Sequence, residues 1–242
     1  MPPRFFVPQA LAGASEIELP TNAARHVQVL RMQPGQALSL FDGSGGQWAA
    51  TITQMGRANV RVELGETEAL QAELPLPVTL AVGMPANDRM DFLVEKATEL
   101  GVSAIKPLIC ERSVLRLSGE RAEKKVAHWQ AVAIAACEQC GRTRVPLIAP
   151  VQSLPTWLIR LDCETGNEAR WLLSPGSNHA LRDKAASAKV LRTVVLSGPE
   201  GGLTPAEETT VQAQGFKAVN LGPRILRADT APLAVMAWLA LQ

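Results

Sequence analysis

The sequence predicts an α/β protein, a parallel sheet flanked by helices that follows a small β module. Three observations predict it. Strand, glycine-rich loop and helix succeed one another twice after residue 190, an order that produces parallel neighbours. Before residue 70, short runs rich in apolar residues are broken by glycine clusters, the pattern of a small β module. Between the two, Gly65 to Pro77 carries Glu66, Glu68, Glu73, Pro75 and Pro77, a linker-like change of composition. The predicted division is 1–70 and 71–242, and 242 residues with 47% hydrophobic content supply core enough for two modest domains.

In the first module Ala37–Phe41, Gln47–Thr53 and Val60–Leu64 read as strands, separated by Asp42-Gly-Ser-Gly-Gly46 and Met55-Gly-Arg-Ala-Asn59. Phe5 and Phe6 read as core in preference to base-stacking groups. Arg25, His26 and Arg31 flank the run Val27–Leu30, and five basic against six acidic residues give the module an ordinary surface. His26 reads as structural, because no carboxylate or thiol lies close in sequence to activate it.

The second domain opens with Val78–Val82 as a strand. Asp88 follows as N-cap of a helix to Leu100, stopped by Gly101. Phe92, Leu93, Ala97 and Leu100 form its expected apolar face, and Asp91, Glu95 and Glu99 a solvated acidic stripe. Lys125 to Gly141 is helical in pattern. Val194–Leu196 is a buried strand that Ser197-Gly-Pro-Glu-Gly-Gly202 interrupts, with Gly198, Gly201 and Gly202 allowing close approach and positive φ. Thr204-Pro-Ala-Glu207 has the form of a capping box with proline at the first helical position, and Gly215 ends that helix. Ala218–Leu221 is the next strand, Gly222 to Asp229 its loop, and Thr230 the N-cap of the apolar helix Ala231–Leu241. Both loops fall at the carboxyl edge of a parallel sheet, where ligands of such folds bind. Neither is a dinucleotide or Walker fingerprint, so the residues alone leave the ligand open.

Composition excludes several classes. No apolar stretch reaches membrane-spanning length and Phe5-Phe-Val7 is too short for a signal sequence, so a cytoplasmic protein is expected. Four cysteines at 110, 137, 140 and 163 form no disulfide framework, and Cys137-Glu-Gln-Cys140 sits in a helical run without a second ligand pair, so no metal is expected. Net charge is +1, which confines any nucleic-acid footprint to a local patch. Arg112 to Arg144 holds seven basic residues against three acidic ones, a local net of +4.

The two loops, Gly198-Pro-Glu-Gly-Gly202 and Leu221-Gly-Pro-Arg-Ile-Leu-Arg-Ala-Asp-Thr-Ala231, occur with Arg89 to Val102, Glu111-Arg-Ser113 and Glu138-Gln-Cys-Gly-Arg142 to Pro146. Arg4-Phe-Phe-Val7 and His26 to Met32 complete a set that spans nearly the whole chain. In this ordered set the sequence resembles the RsmE family, SPOUT-type methyltransferases acting on N3 of a uridine in 16S ribosomal RNA. It departs from the family's usual residues at Asn87-Asp88 (Lys-Gly), Cys140 (Ser), Ala228 (Thr) and Asp229 (Glu).

The resemblance implies a PUA-like RNA-binding β-barrel over 1–70 and a SPOUT domain with a trefoil-knotted parallel sheet over 71–242. It implies S-adenosylmethionine as donor, held by Leu173, Ser174, Gly198, Pro199, Glu200, Gly201, Gly202, Leu221, Gly222, Ile225, Leu226 and Arg227. RNA contact falls to Arg4, Arg25, His26, Arg31, Arg112, Arg142 and Arg224, and the substrate is the small ribosomal subunit. A homodimer is implied, with Arg142 reaching the site from the partner subunit and Ala231–Leu241 contributing to the interface. A sulfonium methyl is already electrophilic, so the enzyme must align N3 and favour loss of its proton. A cation near O2 or O4 stabilises the resulting anion, a role given to Arg227 with Arg142 second. A SPOUT enzyme methylating ribose 2′-O or another base, or a non-catalytic RNA-binding assembly factor, are the alternatives.

Overall fold

The computed structural model describes residues 2–86, 88–161, 167–183 and 190–241, and the chain divides into two units, 1–73 with 134–145 and 74–133 with 146–242. Asn87 and Cys163 lie outside the described residues.

The first unit is a five-stranded sheet of β1 (Arg4–Phe6), β2 (Glu16–Glu18), β3 (Ala37–Phe41), β4 (Gly46–Met55) and β5 (Val60–Ala69), with helix α1 (Thr21–Val29) between β2 and β3. The strand order is β1-β3-β4-β5-β2, with β1 parallel to β3 and the other pairs antiparallel. Burial alternates along β4 and β5, so Trp48, Ala50, Ile52, Val60 and Val62 face one core with Phe5, Leu38, Leu40 and the α1 residues Ala23, Ala24 and Val27. Phe5, 1% exposed, is core as expected. β5 runs beyond Leu64 into the stretch read as linker, because Thr67, Glu68 and Ala69 find partners in Trp48, Gln47 and Gly46. Composition alone does not reveal such long-range pairing.

The second unit holds β6 (Val78–Gly83), β7 (Ala104–Ile109), β8 (Leu147–Ile148), β9 (Gln152–Ser153), β10 (Glu168–Leu173), β11 (Arg192–Ser197) and β12 (Lys217–Val219). They form a parallel sheet in the order β12-β10-β11-β6-β7-β8, with β9 also on β7. Its helices are α2 (Asp88–Glu99), α3 (Gly119–Cys140, whose residues from Ile134 belong to the first unit), α4 (Leu154–Ile159), α5 (Pro205–Ala213) and α6 (Thr230–Ala240). Thr193 to Ser197 are all buried, which is why β11 reads as an unbroken apolar run and not an alternating one. Ser197 lies beside Leu173 on one side and Val82 on the other, and Leu173 beside Val219. The three strands β10, β11 and β12 therefore end level, and their following loops leave from one edge. From β6 the sheet grows one way through β7 and the other way through β11, a reversal of the kind at which α/β sheets open a crevice.

The helix signals held with three exceptions. Thr204 and Glu207 form the full capping box: Thr204 Oγ1 accepts from the Glu207 amide at 3.2 Å and Glu207 Oε2 from the Thr204 amide at 2.9 Å. Gly101 and Gly215 end α2 and α5 with φ of 92° and 84°. Asp88, however, is the first helical residue of α2 and not its cap. Thr230 is likewise the first residue of α6, where Asp229 takes the cap position without a side-chain bond. On α2 the buried face is Met90, Leu93, Val94, Ala97 and Thr98, while Phe92 is 48% exposed. Helical rotation carries Phe92 away from Leu93, so the two cannot share one narrow stripe.

Candidate functional site

The loops after β10, β11 and β12 enclose a cavity of about 510 Å³ at the carboxyl edge of the second unit's sheet. Its wall contains Leu173, Ser174, Gly198, Pro199, Glu200, Gly201, Gly202, Leu221, Gly222, Ile225, Leu226 and Arg227, which brings all twelve residues expected around a donor into one place. Arg112 and Arg224 line it too, as do Arg89 and Glu208, which no local sequence signal marks as cavity groups.

The loop after β11 is built for tight passage. Gly202 takes φ of 67°, and its amide donates to Pro199 O at 2.8 Å, closing a turn that only glycine enters without strain. Gly198 and Gly201 do not adopt positive φ; at Gly198 the demand is space, since a Cβ would meet Leu203 N and Gly202 C at 3.0 and 3.1 Å. Both flanks of the loop are pinned. Glu200 Oε1 accepts from the Ala86 amide at 2.9 Å and lies 3.8 Å from Arg89 Nη1. On the other side Arg112 Nη1 donates to Gly201 O at 3.0 Å and to Leu203 O at 3.4 Å, while Glu207 Oε1 accepts from the Glu111 amide at 2.8 Å. Arg112 thus holds the loop by its carbonyls.

The loop after β12 is different in kind. Arg224, Ile225 and Arg227 are exposed, Ile225 at 85%. Among the described residues neither Arg224 nor Arg227 has an ion pair or side-chain hydrogen bond, so neither is engaged with Glu200 or Asp229. Glu200 is taken by Ala86 and Arg89, and Asp229 Oδ1 is buried without a hydrogen-bond partner. Two free guanidinium groups over an open cavity can receive an anion or steady a developing negative charge.

The other expected RNA-contacting residues belong to the first unit. Arg25, His26 and Arg31 are exposed around α1; His26 stands edge-on to Phe5 with ring centroids 5.3 Å apart, and Arg31 adopts φ of 54° just past the helix end. Arg4 is half-buried: it donates to Gln47 Oε1 at 2.7 Å, Cys137 O at 2.9 Å and Arg142 O at 3.1 Å, and covers the Phe41 ring. Burial lowers its pKa from the usual arginine value. Arg142 is 3% exposed and grips Glu73, with Nε at 3.1 Å and Nη2 at 2.5 Å from Oε2. Arg4 and Arg142 thus make structural bonds within this unit.

Cys110 and Cys137 are not activated. Burial pushes the Cys110 and Cys137 thiols up to about 12, the opposite of an activated nucleophile. Among the described residues no cluster of His, Cys, Asp and Glu could hold a metal ion, and no helix is long and apolar enough to cross a membrane.

Comparison with known proteins gives this geometry a context. A family model described as an RNA methyltransferase domain matches residues 72–240, and one described as an RNA methyltransferase PUA domain matches 19–65. The chain is 35% identical over 228 residues to ribosomal RNA small subunit methyltransferase E of Synechocystis, covering 91% of this chain and 71% of that protein. The crystal structure of a ribosomal RNA small subunit methyltransferase E from Neisseria gonorrhoeae, bound to S-adenosyl methionine, is similar with a TM-score of 0.91 and 36% identity, covering 100% of this chain and 98% of that one. A Legionella pneumophila methyltransferase in complex with the bound cofactor SAM matches with a TM-score of 0.91, 30% identity and the same coverage.

Proposed function

This chain belongs to the RNA methyltransferase family, of the ribosomal RNA small subunit methyltransferase E type, and from that premise we propose that it methylates N3 of a uridine in 16S ribosomal RNA. At the coarser level it is an S-adenosylmethionine-dependent RNA methyltransferase acting on small-subunit ribosomal RNA. The observation that carries the reading is the 510 Å³ cavity, within the range of small-molecule sites (about 300–1,000 Å³), bounded by three level loops. Its residues fit the donor: backbone groups of Gly198 to Gly202 and Leu221-Gly222 can bind the polar edges of a nucleoside. Apolar Leu221, Ile225 and Leu226 give its base a surface.

When bound, S-adenosylmethionine supplies an electrophilic methyl group on a sulfonium. The residues of the chain then have two tasks. The pinned loop after β11 fixes the donor's position, since Glu200 and Arg112 tie it to neighbouring segments on both sides. Arg227, free and exposed at the rim, stabilises the negative charge left on O2 and O4 as the uracil N3 proton departs to solvent. Glu200 serves as loop anchor and takes no proton. Arg224 meets the RNA backbone from the same loop. The catalytic part given to Arg142, reaching the site from the partner subunit, requires the opening of its pair with Glu73.

On this reading residues 1–70 contact RNA, through Arg25, His26 and Arg31, and residues 71–242 carry the reaction in a cytoplasmic homodimer. Local contacts and shape recognition suit a chain of net charge +1. The test is incubation with labelled S-adenosylmethionine and small ribosomal subunits lacking their own modifications, followed by mapping of the labelled nucleoside. Label at uridine N3 supports the reading; label on ribose or another base changes the target; donor binding absent altogether refutes an enzymatic role.

A further inference from the structure

Two carboxylates stand in the cavity wall, and among the described residues only one has an ion-pair partner. Glu200 lies beside Arg89, whereas Glu208 has no ion pair among the described residues. Glu208 sits in the first turn of α5, its amide donating to Thr204 O at 2.9 Å. Its side chain is steadied from the sheet. Ser174 is buried at the end of β10, its amide donates to Val219 O at 3.0 Å, and its Oγ lies 3.3 Å from Glu208 Oε1 as donor. A serine fixed between two strands therefore holds a carboxylate in the wall of the cavity. The four wall arginines are otherwise disposed: Arg89 on Glu200, Arg112 on the carbonyls of Gly201 and Leu203, and Arg224 and Arg227 on the exposed loop, none of them in ion-pair distance of Glu208.

A carboxylate left without a cation in a partly enclosed cavity favours a ligand that brings one. We propose that Glu208 reads the positive charge of the methyl donor, so that the cavity prefers the sulfonium donor to the thioether product. The inference rests on the reading that this cavity takes S-adenosylmethionine. That molecule carries an ammonium, a carboxylate and a sulfonium, a net charge of +1. On transfer the electron pair of the S–CH3 bond stays on sulfur, N3 bonds the methyl and its proton leaves, so S-adenosylhomocysteine is left with net charge zero. Donor and product otherwise share their groups. The charge seen by Glu208 is what distinguishes them, and its loss on turnover eases product release.

Isothermal titration of the full chain with S-adenosylmethionine and with S-adenosylhomocysteine, for wild type and Glu208→Gln, tests this. Glu208→Gln is expected to weaken the donor by about threefold to tenfold, the scale of a partly solvated charge pair, and the product by less than about twofold. In the wild type the donor-to-product preference should also shrink as salt is raised, a readout that needs no variant. Equal losses for both ligands, no change in either, or a preference that is constant or grows with salt would overturn the role of Glu208 while leaving the cavity a donor site. A wild type that binds neither ligand removes the donor reading itself, and this inference with it.

Discussion

Gly83 ends β6 where the loop after β11 crosses it. A Cβ at this position would lie 2.6 Å from both N and Cδ of Pro199 and 3.0 Å from Cys110 Sγ. Ordinary contact begins near 3.4 Å, so Gly83→Ala forces Pro199 back by about 0.8 Å, the difference between 3.4 and 2.6. Pro199 has little freedom to retreat. Its carbonyl accepts from Gly202, Glu200 is bonded to Ala86, and Arg112 holds Gly201 O. Overpacking of this kind costs about 1–3 kcal/mol. At roughly 2–4 °C per kcal/mol for a unit of this size, the melting temperature falls by about 2–12 °C. A displacement near 1 Å in a positioning loop also costs up to about a hundredfold in rate, so methyl transfer suffers more than stability. Thermal melting followed by circular dichroism, donor titration and transfer of labelled methyl measure the three effects. At Gly176 an added Cβ would meet nothing within 4 Å and φ is not positive, so Gly176→Ala serves as the neutral control. Wild-type melting and donor affinity in Gly83→Ala would refute the claim that this glycine exists to admit Pro199.

Arg227→Ala should slow methyl transfer by about ten- to a thousandfold, the scale of a lost cationic neighbour, while donor affinity measured by titration stays within a few-fold; wild-type turnover would remove Arg227 from the mechanism. Glu73→Ala removes the carboxylate paired with the buried Arg142 guanidinium and should destabilise the first unit by about 3–5 kcal/mol in urea unfolding. Alkaline stability should track the two buried thiols. Cys110 and Cys137 keep their protons to about 12 when folded, against an ordinary value of 9.0, so above pH 9 unfolding releases protons and rising pH favours the unfolded chain. Their contribution is intact below pH 9 and falls by up to about 1.4 kcal/mol per pH unit for each thiol until about 12. Unfolding midpoints across that range check it, and Cys110→Ser and Cys137→Ser should flatten the curve.

Local signals carried much of the second unit. The run Val194–Leu196, the capping box at Thr204 and Glu207, and the stops at Gly101 and Gly215 are written in neighbouring residues, because capping, positive φ and burial on both faces of a strand are short-range demands. The twelve residues expected around the donor were named through the family resemblance, and the cavity they line follows from three strands ending in register. Other features depended on partners distant in the chain. β5 extends to Ala69 only because β4 begins at Gly46. Gly83 is needed because Pro199, far along the chain, passes it. Arg142, expected to reach the reaction centre from a partner subunit, is bonded within its own chain to Glu73, and Glu200 is drawn to Ala86 and Arg89. The sequence by itself determined the fold class, the capping box that opens α5, the glycine stops of α2 and α5, and the two glycine-rich loops that line the cavity. Only the tertiary structure decided which charges are consumed and which stay free, because a charge is neutralised by whatever the fold brings within a few ångströms, and spacing along the chain does not record that distance.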